Sequence, residues 1–351
     1  WRSVPNPAQY GLSNPELVIT FEVEKGAVHK LELGAPNFSG GSYFARRGND
    51  PKVYLVSGHS RDKFTADLDR LREAAAMKFD MYAATSLHLD RPAGAIQLRK
   101  KDWNWFIEAP VGGPADDNEL ETILRHCSEL RVQDHLDGAE PAGLKKAFGP
   151  VRYRVAVTLD KGEPQVLEIG AANPFPSNPG QVLALNVTRA DYFTLPQTAV
   201  TALDKPLNTL RSHDVARFYP FEVKGVTWET GDVKTVLAKN KDGGWTWKRK
   251  GGDAPLDGAR VDEFLGRLRD LKATAFVDAP DPARLGLTPP AARAILDVEN
   301  KAGITLLFGS AADGQRIVRN SEYAYAVRFD DAAWQSLKFE PAAWRPATAK
   351  K

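Results

Sequence analysis

Two tryptophan pairs, Trp103-Asn104-Trp105 and Trp245-Thr246-Trp247, have the residue type and spacing that most invite chemistry. Residues i and i+2 of a β-strand point to the same face, so a pair on a strand sets two indole rings side by side. Left exposed, such rings form a platform on which a sugar or another flat ligand stacks. Buried, they cover the packed face of their own sheet, the usual fate of large aromatics. Both pairs stand just ahead of an amphipathic helix, and that recurrence favours a place in the core. Trp103, Trp105, Trp245 and Trp247 remain the candidate ligand-stacking residues.

Other reactive side chains offer less. The single cysteine, Cys127, excludes an internal disulfide and any multi-cysteine metal site. It falls on the apolar stripe of a helix, where a thiol acts as a small hydrophobe rather than a nucleophile. Six histidines, His29, His59, His88, His126, His135 and His213, are scattered singly, with no His-x-x-x-His spacing, so no metal site is expected. Aspartates gather at caps and turns: Asp116, Asp117, Asp257, Asp278, Asp281, Asp330 and Asp331. A glycosidase-type carboxylate pair is assembled by folding, and no two of these stand out as one. Nucleophile-elbow, phosphate-loop, dinucleotide and zinc-protease motifs are absent, so neither a catalytic residue nor a cofactor is expected. Asn37-Phe38-Ser39 and Asn186-Val187-Thr188 fit the glycosylation-acceptor pattern, a common tripeptide.

The elements that must position these residues repeat along the chain. Asn6-Pro7-Ala8-Gln9-Tyr10-Gly11-Leu12 matches Asp281-Pro282-Ala283-Arg284-Leu285-Gly286-Leu287 at an offset of 275 (281 − 6). Asn or Asp caps a short helical turn, proline occupies its first position, and glycine ends it in the left-handed region. A middle copy runs from Glu140-Pro141-Ala142 to Gly149-Pro150, without a clean equivalent of Gly11-Leu12 near Ala147-Phe148. After each turn come two strands that read as a hairpin, the second ending in glycine: Leu-Glu-Leu-Gly34, Leu-Glu-Ile-Gly170 and Leu-Leu-Phe-Gly309. Two more strands follow, then in the first copy a helix over 62–71 with Phe64, Leu68 and Leu71 on one face.

The other half of the unit is legible twice. Its helix carries Leu120, Ile123, Leu124, Cys127 and Leu130 in one copy and Val261, Phe264, Leu265, Leu268 and Leu271 in the other, all at an offset of 141 (261 − 120). Asp116 and Asp257 share that offset as N-caps. Aligning the tryptophan pairs sets them at 142 (245 − 103). The expected fold class is therefore α+β: tandem repeats of an antiparallel β-sheet unit with packed helices. The expected domains are a truncated first repeat, the C-terminal half of the unit (1–80), a second repeat (81–222) and a third (223–351).

The chain has 351 residues, with 47 basic against 45 acidic and a net charge of +2. Without a basic stripe that balance excludes a nucleic-acid partner held by phosphate neutralisation, and Lys248-Arg249-Lys250 reads as the end of a strand. No run of 18 apolar residues is present to span a membrane as a helix. Because the chain opens on Trp1 and its first repeat lacks its leading half, an upstream portion is expected.

The Tyr10-Gly11-Leu12-x-x-Pro15 turn, the hairpin ending in Gly34, the Ser42-Tyr43-Phe44 and Val53-Tyr54 strands, the Gly244-Trp245-x-Trp247 strand, the Asp257 cap and the Ala273–Asp278 segment resemble the bacterial domain of unknown function 4340 family. That resemblance implies an extracytoplasmic protein held by an N-terminal membrane helix, with a protein partner in a complex containing ABC-transporter components. It supplies no catalytic residues. The functional expectation is a non-enzymatic binding or scaffolding protein. The alternatives are a cell-wall-polymer or carbohydrate binder using exposed tryptophans and, further off, a carboxylate-based hydrolase.

Overall fold

The structure is a computed structural model that describes residues 6–24, 26–65, 72–136, 141–172 and 180–346. Two compact units divide between Ala74 and Ala75. The first unit holds one antiparallel sheet of β1 (Leu17–Val23), β2 (Ala27–Pro36), β3 (Ser42–Arg47) and β4 (Tyr54–Ser57), in that order, followed by helix α1 (Gly58–Phe64). The helix starts four residues earlier than the expected 62, because the Ser57 hydroxyl accepts the His59 N–H and caps it there. Phe64 is exposed, and Leu68 and Leu71 lie outside the described residues.

The second unit carries two larger sheets. One is built from β5 (Ala84–Asp90), β6 (Ile96–Lys101), β7 (Asn104–Ala109), β8 (Gly113–Pro114), β9 (Tyr153–Leu159), β10 (Gln165–Ala172), β11 (Gln181–Asn186) and β12 (Asp191–Pro196). Helix α2 (Asp117–Glu129) follows β8, α3 (Pro141–Phe148) precedes β9, and α4 (Thr198–Leu203) and α5 (Leu207–Leu210) follow β12. The other sheet repeats this plan. Its first half is β13 (Val223–Thr230), β14 (Val233–Lys239), β15 (Trp245–Lys248) and β16 (Ala254–Pro255), then helix α6 (Gly258–Arg269). A short β17 (Ala275–Val277) leads into β18 (Ala292–Val298), β19 (Ile304–Ala312), β20 (Gln315–Asn320), β21 (Ala326–Asp330) and helix α7 (Asp331–Leu337).

Strand order exposes a symmetry within each repeat. The sheets read β12-β11-β10-β9-β5-β6-β7-β8 and β16-β15-β14-β13-β18-β19-β20-β21-β17. Each is two four-strand meanders, every meander followed by a helix, joined antiparallel through their first strands, with β17 added beside β21 at the edge of the second sheet. The joining ladders pair Leu87 with Val157 and Leu89 with Val155 in one sheet, and Val226 with Leu296 and Trp228 with Ala294 in the other. Because side chains alternate across a strand, these apolar pairs share the face that the helices cover. All five positions aligned between α2 and α6 are buried in both copies, from Leu120 and Val261 to Leu130 and Leu271.

The turn before each second-half meander also repeats in space. The Asn6 and Asp281 side-chain Oδ1 atoms accept the N–H groups of Ala8 and Ala283, both at 3.0 Å. Gly11 and Gly286 take φ of 66° and 65°, and Gly149 supplies the same left-handed residue in the middle copy with φ of 63°. The departure there is that α3 is a true helix, ending with the Gly149 N–H bonded to the Lys145 carbonyl. The glycines expected to end the second strands lie instead inside β2, β10 and β19, where the ladder to the next strand shifts register, and they now have a cause. A Cβ on Gly34 would strike the Tyr10 carbonyl, one on Gly170 the Phe148 carbonyl, and one on Gly309 would lie 3.0 Å from that of Leu285. Replacing Gly170→Ala is expected to cost about 2 kcal/mol, since backbone rather than a flexible side chain must give way. A urea titration checks this; an unchanged midpoint would show that the turn yields freely.

Candidate functional site

Where the second and third repeats meet, one extended segment is laced to both. The Leu210 carbonyl accepts the Asp116 N–H at 2.9 Å, and the Ser212 N–H donates to the Pro114 carbonyl at 2.9 Å. Three residues later the partners change: the Val215 N–H donates to Leu271 at 3.1 Å, and the Val215 carbonyl accepts from the Asn320 amide at 3.0 Å. Arg211 marks the crossover. Its side chain is fully buried, its guanidinium lying over the rings of Tyr325 and Phe276 at 4.7 and 5.2 Å from their centroids. It donates to Asp278 at 2.7 Å and to Asn208 at 2.9 Å.

Beside this crossover lies a cleft of about 310 Å³, lined by Asp117, Asp214, Arg217, Arg269, Lys272 and Lys301 among others. Its carboxylates are matched by cations: Arg217 lies 3.3 Å from Asp117 and 3.1 Å from Asp214, and Lys272 lies 2.5 Å from Asp214. Burial by itself would raise the Asp214 carboxyl, but the Lys272 hydrogen bond and charge, with Ser212 and Arg217, leave it below its ordinary value. A proton donor needs the opposite shift. Glu322 has that shift, because burial raises it, yet the charges acting on it are Lys301 and Lys101 rather than a second acid. Such an arrangement stiffens a joint. It is not arranged to pass a proton between two carboxylates.

The tryptophans part company. Trp105 and Trp245 are buried in the cores of the second and third repeats, so no ligand stacks on them. Trp103 lies in the turn before β7, 88% exposed, and Trp247 is half-buried with the Arg249 guanidinium 5.3 Å from its ring centroid. Thus neither pair forms a two-ring platform. The structural register also differs from the sequence alignment by two residues. The carbonyls of Trp105 and Trp245 accept the N–H of Ala115 and of Leu256 respectively, which equates them at an offset of 140 (245 − 105).

Cys127 is fully buried on α2 and its thiol is pushed up to about 12 by burial. At pH 8 roughly one thiol in ten thousand is then ionised. The folded chain is expected to leave a thiol reagent unreacted at pH 8, and to consume one equivalent after unfolding in guanidinium; rapid reaction of the native chain would contradict this burial. Asn186 is also buried, its amide bonded to the Ala76 carbonyl at 2.8 Å, so in the fold it is a structural clasp rather than a glycan acceptor. Asn320 clasps Val215 in the same way in the third repeat. Sequence reasoning missed both these asparagines and Arg211, although Asn186 and Asn320 each end the third strand of a meander.

Among the described residues no group of three His, Cys, Asp or Glu side chains is placed to hold a metal, and no helix is long and apolar enough to cross a membrane. No curated protein and no solved structure matches the chain. A family model described as Domain of unknown function (DUF4340) does match, in three overlapping stretches, residues 2–147, 105–290 and 247–349. Those stretches together span nearly the whole chain, and the protein belongs to the DUF4340 family, in overlapping copies.

Proposed function

We propose that this protein is a non-enzymatic scaffold that acts on the extracytoplasmic side of a membrane, within a complex of the ABC-transporter type. The observation that carries the reading is the joint between the second and third repeats. Its ionisable groups neutralise one another, and the buried Arg211 bridges Asn208 of the second repeat and Asp278 of the third. Repeats locked in series build long contact surfaces, which suit a protein partner better than a small substrate. The membrane setting rests on the family resemblance. Affinity purification from native membranes, with the natural N-terminus intact, tests it: transporter components should co-purify in fixed proportion. Recovery of the protein alone in the soluble fraction would sink the proposal.

One observation favours a second reading, a cell-wall-polymer binder. Trp103 is a large ring held almost fully in solvent, next to the exposed Lys101. Polymer binding that quenches indole fluorescence, and that disappears in Trp103→Ala, would move the function there.

A further inference from the structure

The three repeats share one rung of their sheets and fill it differently. It crosses the first three strands of the second-half meander: Val18-Glu32-Arg46 in the first unit, Arg154-Glu168-Leu185 in the second repeat and Arg293-Leu307-Arg319 in the third. In the complete repeats the rung lies on the face turned away from the helices, since its neighbours along the strands, such as Val155, Leu306 and Val318, belong to the helix-side cores. A central glutamate holds one arginine in each of the first two. Glu32 lies 2.5 Å from Arg46, and Glu168 lies 2.5 Å from Arg154. The third repeat has Leu307 at the centre, with an arginine on each side. Leu307 packs on the small apolar cluster of Leu287, Ile317 and Ala326, so the volume of the glutamate is replaced and its charge is not.

The surrounding side chains leave that charge uncompensated. Along the ladder the rung continues as Lys234-Glu229-Arg293-Leu307-Arg319-Ala326, three cations against one carboxylate. Glu229 is already shared, 3.1 Å from Lys234 and 3.6 Å from Arg293. The partly buried Arg319 side chain has no hydrogen bond or ion pair among the described residues. Neither has that of Arg328, which stands diagonally across from it on β21. A guanidinium partly withdrawn from water without a partner is destabilising, and an anion that reaches it relieves this.

We infer that this rung is a docking site for an acidic side chain of a protein partner, whose carboxylate sits over Leu307 between Arg293 and Arg319. Opposite residues on neighbouring strands lie about 5 Å apart, so both guanidinia reach one group placed over the middle strand. The chain itself shows the chemistry: Arg46 donates from Nε and Nη2 to a single Glu32 oxygen at 2.7 and 2.5 Å. Leu307 and the partly buried Ile295 add an apolar floor for the stem of that side chain, which a bare phosphate leaves uncovered. The nature of the partner rests on the scaffold reading, and the two fail separately. Transporter components that co-purify equally well with a chain carrying Arg293→Gln and Arg319→Gln would sink the rung and leave the scaffold.

Anisotropy of a labelled peptide alternating glutamate and threonine, added to the full chain at low salt, should report binding that its glutamine counterpart lacks. Arg319→Gln, at a side chain that bonds nothing within the fold, should weaken it about tenfold, the loss of one charge-assisted contact. Leu307→Glu restores the carboxylate of the other two repeats, so it should abolish binding while the urea midpoint holds or rises. Leu307→Met keeps the rung neutral and should bind as before, as should Arg249→Gln in a turn of the same repeat. Peptide binding that survives Arg293→Gln combined with Arg319→Gln overturns the inference, even if Leu307→Glu fails to fold. A chain that ignores the peptide yet sediments with phosphatidylglycerol vesicles through these arginines also overturns it, assigning the rung to lipid phosphate.

Discussion

Phe264→Ala is expected to destabilise the second unit by about 4 kcal/mol, the largest effect of any single change argued for this chain. Phe264 projects from α6 into an aromatic cluster. Trp228 meets it edge-on at 5.7 Å, Phe339 at 5.1 Å, and Trp344 lies 5.5 Å away. Trp228 in turn stacks on Phe339 and on Trp334. The cluster thus ties the joining strand β13, the long helix and the residues after α7 into one packed body. Truncation opens a cavity that stacked rings cannot close by small shifts. Phe264→Leu keeps much of the volume and should cost less than half as much. Urea unfolding followed by tryptophan fluorescence measures both. A loss below 1 kcal/mol for the alanine variant would mean that the cluster repacks.

Second in size is Arg211→Ala, expected to cost about 3 kcal/mol, the sum of a lost cation–π sandwich, a lost buried ion pair and a cavity at the joint. Asp278 is half in solvent and recovers its hydration once freed, which keeps the figure from rising further. Arg211→Met fills most of the space without a charge and should cost about 1 kcal/mol, because a buried ion pair replaced by apolar volume is close to neutral. The two variants therefore separate packing from charge. Calorimetry adds a qualitative sign: if Arg211 fastens the repeats, the alanine variant should split one unfolding transition into two.

Repetition made much of this architecture legible in the sequence. Capped turns, helix core positions and the glycines of the second strands recur along the chain, and each has a local physical cause that one sequence displays. The tryptophan alignment kept one buried ring in each core yet slipped by two residues. A slip of two preserves the face of a strand, since side chains alternate with period two, so the pattern gave no warning. The internal symmetry of each repeat was illegible for a different reason. Its two meanders share strand order and not residue type, and β8 and β16 are only two residues long. Arg211 stayed hidden because its partners, Tyr325, Phe276 and Asp278, are brought to it only by the packing of the next repeat. The helix in the first unit was misplaced because Ser57, five residues before the expected start, offers a cap that outweighs the apolar spacing further on.

The joining ladders also set the order in which the chain is finished during synthesis. Each meander pairs neighbouring strands and can close as it leaves the ribosome. Leu87 must wait for Val157, 70 residues later (157 − 87). At about 5–20 residues per second this leaves the joining edge of the first strand of each complete repeat open for roughly 4–14 s after its own meander has closed, an interval in which a nascent chain needs shelter from its neighbours on the same message.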